Sequence, residues 1–249
     1  METNHVETLL FNHRSIRTFT PTPISDKQFA RLLSVGQKAA SSHYMQAYSV
    51  IRVKDPQKLA AISKICNHDF VNDHGDLAIF IADQNRNINL AQDTSDPQHL
   101  ADFDHLLASV FDAALAAQNL ITAAESEDLG AFIMTSILND VPALIKDLNL
   151  PKYTFPLLGV ALGTTTADIP EQKPRLPQAI QLMTDTYQLP ADYQALMKTY
   201  DQTVHDYYQH RKSHAREETF SHMVSHQADI HNPKRASFKK ILEQQGFHF

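Results

Sequence analysis

The stretch that most constrains the fold is residues 104–126, which is almost entirely apolar. Residues such as Leu106, Val110, Phe111 and Leu120 occupy most of its positions and leave almost no polar face. A helix that is apolar on all sides has to be enclosed by other protein. The sequence therefore predicts a long helix in the core or at a dimer interface, or both, with the other elements arranged around it.

Shorter segments on either side predict helices interleaved with a few buried strands. Ser25 followed by Gln28 has the form of a capping box, and Asp55-Pro56 has that of an N-cap and a first helical residue. Gly130 is expected to stop the long helix. Helices are expected near residues 6–10 and over 26–40, 55–64, 191–210 and 238–242, and strands over 48–53, 77–82, 131–134 and 155–163.

Composition excludes several classes of protein. The six glycines do not form the turns of a dinucleotide-binding or P-loop protein, so a phosphate would have to be held mainly by side chains. A net charge of -6 argues against non-specific nucleic-acid binding. The single cysteine, Cys66, cannot form an internal disulfide or a multi-cysteine zinc site.

The lack of a recognisable targeting segment favours a cytoplasmic protein. The first residues, with Glu2, Asn4 and Glu7, lack the basic-then-apolar form of a signal peptide. No continuous run reaches the roughly 18 apolar residues that a bilayer span needs. We therefore expect a cytoplasmic location and no membrane partner.

Basic clusters stand out in this acidic chain. His13-Arg14-Ser15-Ile16-Arg17 is either an anion site at a helix end or a solvated basic turn, and Lys173-Pro174-Arg175 is a second such cluster. A third group is either a phosphate site or a solvated face, and it comprises Arg211, Lys212, Arg216, Lys234 and Arg235. His222 and His226 have the spacing of a ligand pair but lack a defined third ligand, so no metal site is expected.

Four segments in this order resemble the flavin-dependent nitroreductase superfamily. They are HRSIRTFTPTPIS, AASSHYMQAYS, the apolar helix with AAQNLITAAES, and LGVALGTTTADIPEQKPRLP. More narrowly, the chain resembles the NADPH-linked nitroreductase and flavin reductase group. The resemblance implies an α+β, nitroreductase-like fold, with a helix-flanked mixed or antiparallel sheet around a long buried helix and a helical C-terminal extension. It also implies an intertwined homodimer with FMN at each of two subunit interfaces.

The same resemblance implies roles for individual residues. His13, Arg14, Ser15, Lys173 and Arg175 match positions that bind the FMN phosphate and ribityl chain, and Arg17 matches one near the flavin pyrimidine. Further matches concern the loop that reaches the flavin from the partner subunit (Ser41, Ser42, Met45 and Gln46), the substrate pocket (Tyr44) and the NADPH 2'-phosphate (Arg211, with Lys234 and Arg235 aligned more loosely). Residues 1–180 would form the FMN-binding core, and residues 181–249 would contribute to the NADPH site and the dimer.

The chain departs from the family pattern at several positions near the expected flavin. Met134-Thr135-Ser136 stands where close relatives have a Gly-Gly pair, and Leu138 replaces a basic residue. His68 replaces a glutamine near the pyrimidine, which introduces a group able to change its protonation state. Thr135, Ser136 and His68 are therefore expected to contact FMN in a way that differs from the relatives.

The function that this resemblance implies is reduction of nitroaromatics, quinones or free flavin by NADPH, in two hydride transfers through FMN. No side chain is expected to be catalytic, because the chemistry belongs to the cofactor. Two alternatives remain open from the residues. One is an FMN-binding carrier or sensor with little turnover, and the other is a helical interaction module without a cofactor.

Overall fold

The computed structural model describes residues 3–68, 75–166 and 169–249. These residues form two compact units. Unit 1 comprises residues 1–169 together with 233–249, and unit 2 comprises residues 170–232. The division differs from the expected boundary at residue 180, because the C-terminal Ile241 and Phe247 pack with Ala82, Leu106 and Phe155 in a hydrophobic cluster of unit 1.

Unit 1 is built on a four-stranded antiparallel sheet with the strand order β1-β2-β4-β3. The strands are β1 Tyr48–Val53, β2 Asp76–Asp83, β3 Leu129–Met134 and β4 Thr154–Thr164. All residues of β2 are buried, as expected of a central strand covered on both faces. The strands predicted from sequence are confirmed, and β1 and β3 form the two edges.

Helices cover this sheet. In chain order they are α1 His5–Phe11, α2 Asp26–Gly36, α3 Pro56–Cys66, α4 Asn85–Leu90, α5 Phe103–Glu125, α6 Val141–Asp147, α10 Pro233–Ala236 and α11 Phe238–Gln244. Short 3-10 turns occupy Ser42–Tyr44, Pro97–Ala101 and Ser136–Asp140. The sheet and its covering helices confirm the predicted α+β class.

The caps explain where several of these helices begin and end. Ser25 Oγ accepts the backbone N–H of Gln28, and Asp55 caps α3 by accepting from Gln57 and Lys58. The expected extension of α2 to residue 40 is wrong, because the helix ends at Gly36. A Cβ at Gly36 would lie 2.9 Å from the carbonyl oxygen of Ala116, so glycine lets α2 pack closely on α5.

Helix α5 is the central helix of unit 1. It packs on α2 and on all four strands, and Ala113, Ala117, Leu120 and Ile121 on its inner face are almost fully buried. The predicted core helix is therefore confirmed. The expectation that Gly130 ends it is wrong: the helix ends at Glu125, Asp128 takes a left-handed conformation with φ of 58°, and Gly130 lies inside β3.

The opposite face of α5 is not enclosed within one chain. Phe103, Leu107, Phe111 and Leu115 follow one another at intervals of one helical turn, and all four are exposed. By length and hydropathy alone, α5 is long and apolar enough to cross a membrane. A core helix of a globular protein reaches the same hydropathy, and the inner face of α5 is buried against the sheet.

Unit 2 is helical in its described residues. It contains α7 Gln178–Gln181, α8 Tyr193–His210 and α9 Phe220–Asp229. Helices α8 and α9 pack through a small cluster in which Tyr200, Val204 and Tyr208 are buried and Phe220 and Met223 are partly buried. The predicted helix at residues 191–210 is confirmed.

Candidate functional site

The segment His13–Arg17 lies along the edge strand β3. The backbone N–H of Ile16 donates to the carbonyl of Ala131 at 3.1 Å, and Ser15 forms an isolated parallel bridge with Ala131. Gly130 makes room for this approach, because a Cβ there would lie 2.7 Å from the side chain of Ile16. The backbone of the cationic segment is therefore attached to the sheet, and its side chains start from fixed positions.

The two arginines of this segment make few hydrogen bonds to the residues that the structure describes. Arg14 Nη1 donates to the carbonyl of Asn12 at 2.7 Å, and Arg17 Nη1 donates to the carbonyl of Ser15 at 3.4 Å. The guanidinium of Arg17 also lies 5.2 Å from the ring centroid of Phe132 on β3. A guanidinium has five donors, so each arginine keeps most of its hydrogen-bonding capacity for other acceptors.

His13 is bonded to a carboxylate from the end of α5. Its Nδ1 lies 2.6 Å from Oε1 of Glu125, with side-chain exposures of 28% and 11%. Glu125 Oε2 is buried and has no hydrogen-bond partner among the described residues. This pairing joins positions 112 residues apart, and it was not anticipated from the sequence.

The loop that contains Ser41, Ser42, Met45 and Gln46 is organised by Asp112. This aspartate of α5 is 1% exposed. Its Oδ2 accepts from Ser41 Oγ at 2.7 Å and from the backbone N–H of Ala47 at 3.0 Å, and its Oδ1 accepts from the N–H of Ser42 at 3.1 Å. Ser41 Oγ in turn accepts from the backbone N–H of Gln46 at 2.7 Å.

This loop has an unusual backbone. His43, Tyr44 and Gln46 all have positive φ, at 50°, 60° and 47°. Residues other than glycine disfavour this region, and such conformations persist where the surroundings fix them. The bonds from Asp112 supply that constraint. Asp112 is a functional candidate that the sequence analysis missed, since an aspartate within an apolar stretch carries no signal of what it contacts.

The outer parts of the same loop are held by α4 or lie in solvent. Asn87 Nδ2 donates to the carbonyl of Met45 at 3.3 Å, and Arg86 Nη2 donates to the carbonyl of Gln46 at 2.8 Å. Tyr44 is 83% exposed, and its place in a substrate pocket remains a prediction. The loop leads into β1, at the opposite edge of the sheet from β3.

Thr135 and Ser136 follow β3, so the strand that carries the His13–Arg17 segment also leads to them. Thr135 is exposed, and its carbonyl accepts from Arg235 Nη2 at 2.6 Å. The hydroxyl of Ser136 bonds to the thiol of Cys66. Burial raises the pKa of that thiol, and the bond to Ser136 opposes the increase. Cys66 is thus a buried neutral thiol, unlike the partly exposed thiolates of catalytic cysteines.

Lys234 and Arg235 bind the turn that follows β3. Lys234 Nζ lies 2.5 Å from Asp140 Oδ2 and lowers the pKa of that carboxyl, and Arg235 also donates to Asn139 Oδ1 at 3.0 Å. These contacts attach α10 to the turn that carries Ser136. The predicted role of Lys234 and Arg235 in binding an NADPH phosphate remains a prediction, and the structure shows that both also have acceptors within unit 1.

His68 lies two residues after the end of α3. The helix ends at Cys66, and Asn67 adopts a left-handed conformation with φ of 53°. The carbonyl of His68 accepts the hydroxyl of Ser63, and its side chain is exposed. The predicted contact of His68 with the flavin pyrimidine remains a prediction.

The remaining candidate cations belong to unit 2. Lys173 and Arg175 are exposed, and Arg175 Nη1 donates to the carbonyl of Lys173 at 2.9 Å. Arg211 lies 5.5 Å from the ring centroids of both Tyr207 and Tyr208, and its Nε is buried without a hydrogen-bond partner among the described residues.

Two further basic residues of unit 2 have partners close by. Arg216 stacks at 4.1 Å on Tyr208, and the backbone N–H of Lys212 donates to Glu171 Oε1 at 3.0 Å. No group of three or more possible metal ligands occurs in the described parts of the chain. The absence of a metal site stays a prediction.

Comparisons with known proteins agree with one another. The model of the Nitroreductase family matches residues 10–164, and that of the Nitroreductase family, C-terminal domain, matches residues 173–249. The chain is 37% identical over 249 residues to a Bacillus subtilis protein named FMN reductase (NADPH), covering 98% of each chain.

Solved structures give the same result. The NfrA1 nitroreductase of B. subtilis is 33% identical, with a TM-score of 0.90 and coverage of 98% of this chain and 99% of that one. The NADPH:FMN oxidoreductase of Vibrio harveyi, solved with NAD+, is 29% identical, with a TM-score of 0.84 and coverage of 98% and 99%. The fold predicted from the resemblance is thereby confirmed over nearly the whole length.

Proposed function

The chain belongs to the nitroreductase family, and from that premise we propose that it is an FMN-dependent oxidoreductase that uses NADPH to reduce nitroaromatics, quinones or free flavin. The observation that carries the proposal is the His13–Arg17 segment, which is bonded to β3 at Ala131 and presents two arginines with most of their donors available. The names of the relatives, an FMN reductase (NADPH) and an NADPH:FMN oxidoreductase, support the choice of cofactor and electron donor.

The residues present fit FMN. A phosphate that carries nearly two negative charges needs several charge-assisted donors, and this chain has no glycine-rich loop to supply backbone donors. His13, Arg14 and Ser15 would hold the phosphate and ribityl chain, with Arg14 offering a forked donor pair. Thr135 and Ser136, which directly follow β3, would face the flavin ring.

Arg17 is assigned to the pyrimidine edge of the flavin. Bound FMN supplies the capacity to accept and pass on a hydride, and a nearby cation favours its anionic reduced form. Stacking of Arg17 on Phe132 holds the guanidinium beside β3 without using its N–H donors. His68 is the second predicted neighbour of this edge.

We further propose that NADPH and the electron acceptor use one pocket in turn, so that NADP+ leaves before the acceptor enters. Tyr44, which is exposed, would line this pocket and contact both ligands. Solvent can supply protons to an open pocket, so no side chain is required as an obligatory acid or base. Steady-state kinetics at several acceptor concentrations should give parallel double-reciprocal lines, whereas intersecting lines would contradict this order.

A homodimer completes the proposal. The exposed row of Phe103, Leu107, Phe111 and Leu115 on α5 is the kind of continuous apolar surface that protein interfaces cover. The Ser41–Ala47 loop lies at the opposite edge of the sheet from β3, which supports a contact with the flavin of the partner subunit. Light scattering should give the mass of a dimer. Phe111→Glu should weaken the dimer and shift the measured mass towards that of the monomer.

The remaining assignments are proposals about unit 2 and α10. Lys173 and Arg175 would contribute to the FMN phosphate site, and Arg211, with Lys234 and Arg235, would bind the 2'-phosphate of NADPH. Lys173→Ala and Arg175→Ala should raise the FMN dissociation constant. Arg211→Ala should raise KM for NADPH while leaving KM for NADH unchanged, because NADH lacks that phosphate.

The central experiment is the visible spectrum of the purified protein before and after anaerobic addition of NADPH or NADH. A flavin spectrum that bleaches rapidly with NADPH supports an enzyme. A stable flavin spectrum that neither nucleotide bleaches would instead identify a carrier or sensor. A protein that binds no flavin, even after incubation with FMN, would overturn the proposal.

A further inference from the structure

The contact between His13 and Glu125 points to a role that goes beyond flavin binding as such. We propose that Glu125 is a positioning residue that makes the flavin site selective for the phosphorylated flavin, by bonding to Nδ1 of His13 and so leaving Nε2 to meet the phosphate. The inference rests on the proposed function, because it concerns the FMN phosphate.

The first step is the geometry of the pair. Glu125 Oε1 lies 2.6 Å from His13 Nδ1, which leaves Nε2 as the ring nitrogen available for a second partner. Among the described residues, Nε2 of His13 makes no hydrogen bond. Only the imidazolium form donates from both nitrogens, so a carboxylate on one side and a phosphate on the other are the two acceptors that it fits.

The second step is the cost of this arrangement. Glu125 is the last residue of α5, where the helix carbonyls make a carboxylate unfavourable. Its Oε2 is in addition buried without a hydrogen-bond partner among the described residues. A buried acceptor without a partner lowers the stability of the folded state, so the arrangement is not explained by stability alone. Features that break local rules in this way tend to mark functional sites.

The third step is the surrounding charge. Glu125 lies in a cleft that is also lined by Arg14 and Asp128. Asp128 makes no hydrogen bond to His13, so it acts on an anion only through space, and by repulsion. Glu125 differs because its charge is joined directly to His13. The two carboxylates therefore form a matched pair that separates an effect through His13 from a general effect of negative charge.

The experiment measures the dissociation constants of FMN and riboflavin for the full-length apoprotein by flavin fluorescence quenching. Glu125→Gln keeps the shape of the side chain and removes its charge. We expect it to raise the FMN dissociation constant about tenfold, the size of one charge-assisted contact, and to leave that of riboflavin within about twofold. Asp128→Asn should leave or improve FMN affinity; an equal loss of FMN affinity in Asp128→Asn would contradict the role of the direct contact.

A double-mutant cycle tests the route through His13. In a His13→Gln background, Glu125→Gln should change FMN affinity less than twofold, since the residue through which it acts is gone. If Glu125→Gln fails to fold, Glu125→Asp, which keeps the charge but withdraws the oxygens, should show the same selective loss for FMN.

Other outcomes overturn the inference. Equal losses for FMN and riboflavin would indicate a general structural role, tighter FMN binding would indicate simple repulsion, and additive effects with His13→Gln would indicate independent action. A wild-type protein that binds neither flavin would refute the proposed function itself, which is a distinguishable result.

Discussion

Two segments that are both expected to contact FMN are built in opposite ways. In the Ser41–Ala47 loop, polar groups are bonded to other groups of the chain. Asp112 of α5 accepts three hydrogen bonds from the loop, and the hydroxyl of Ser41 accepts a further one. In the His13–Arg17 segment the backbone is attached to β3, and the hydrogen bonds that Arg14 and Arg17 make to described residues go to nearby carbonyls. The loop is held by the side chain of Asp112, whereas the His13–Arg17 segment is held by its backbone and leaves its arginine side chains available for a ligand.

The difference separates what shapes a site from what binds a ligand. A loop with three residues at positive φ needs internal bonds to keep its shape, and a buried carboxylate supplies them at close range. An anion site needs donors that are not already used. Substitutions in the Ser41–Ala47 loop or at Asp112 should therefore change stability. Substitutions in the His13–Arg17 segment should change ligand affinity with little effect on folding.

The largest effect is expected for Asp112→Asn. The substitution replaces one carboxylate oxygen by an NH2 group, so either the N–H of Ser42 or the donors of Ser41 and Ala47 lose their acceptor. Loss of a buried charged acceptor should lower the free energy of unfolding by about 3 kcal/mol in urea titrations. Asp104→Asn, at an exposed position of the same helix, should cost less than about 1 kcal/mol. Equal effects of the two substitutions would break the comparison.

Arg14→Ala and Arg17→Ala test the opposite segment. Each should raise the FMN dissociation constant about 10- to 100-fold, as expected for loss of 1.5–3 kcal/mol from charge-assisted contacts. The free energy of unfolding of the apoprotein should change by less than about 1 kcal/mol. Arg31→Ala, an arginine of α2 paired with Glu127, is the control and should leave FMN affinity unchanged. Unchanged FMN occupancy and reduction rate in Arg17→Ala would reject the role given to Arg17.

A matched pair of serines sharpens the comparison within the loop. Ser41 Oγ bonds both to Asp112 and to the N–H of Gln46, so Ser41→Ala should cost about 1–2 kcal/mol of unfolding free energy. Within the described residues, the hydroxyl of Ser42 bonds to the exposed ring of His43, at 3.2 Å, and to no other group, so Ser42→Ala should stay within about 0.5 kcal/mol. Chemical denaturation of both variants decides whether burial of the acceptor is what matters.

The smallest effect concerns pH. Burial raises the pKa of the Tyr48 hydroxyl above its ordinary value of 10.0, the charge of Asp112 raises it further, and Arg86 opposes the shift. The folded state therefore favours the neutral phenol. This contribution to stability is complete below pH 10 and is lost as the pH rises through the higher folded-state pKa.

The unfolding free energy should consequently fall less steeply between pH 9 and pH 11 in Tyr48→Phe than in the wild type. In Asp112→Asn the pKa of Tyr48 should lie closer to its ordinary value, because one cause of the shift is removed. Denaturant titrations across this pH range provide the measurement. Identical slopes in the wild type and Tyr48→Phe would show that Tyr48 does not titrate differently on folding.

Much of the architecture was predictable because local patterns and tertiary packing agree. Ser25 and Asp55 cap their helices as expected, and the apolar stretch that includes Leu120 forms the central helix. The errors arose where a local signal has two meanings. Gly130 was interpreted as a helix stop, but it is needed inside β3, where Ile16 packs against the strand.

The supporting residues of the site were not predictable in this way. Asp112 contacts Ser41 across 71 residues, and Glu125 contacts His13 across 112. Both carboxylates lie on one apolar helix, where a sequence pattern shows only interruptions of the hydrophobic surface. Which loop each one faces depends on how α5 is rotated against the sheet.

The amino-acid sequence alone determined the elements, the family resemblance and the cationic residues suited to a phosphate, because periodicity, capping and side-chain charge are local properties. Only the tertiary structure decided which cations already have acceptors and which loop is held in a strained shape. It also decided which carboxylates support that loop and the cationic segment. Those outcomes depend on contacts between residues distant in the chain, and such contacts exist only after β3, β4 and α5 have packed together.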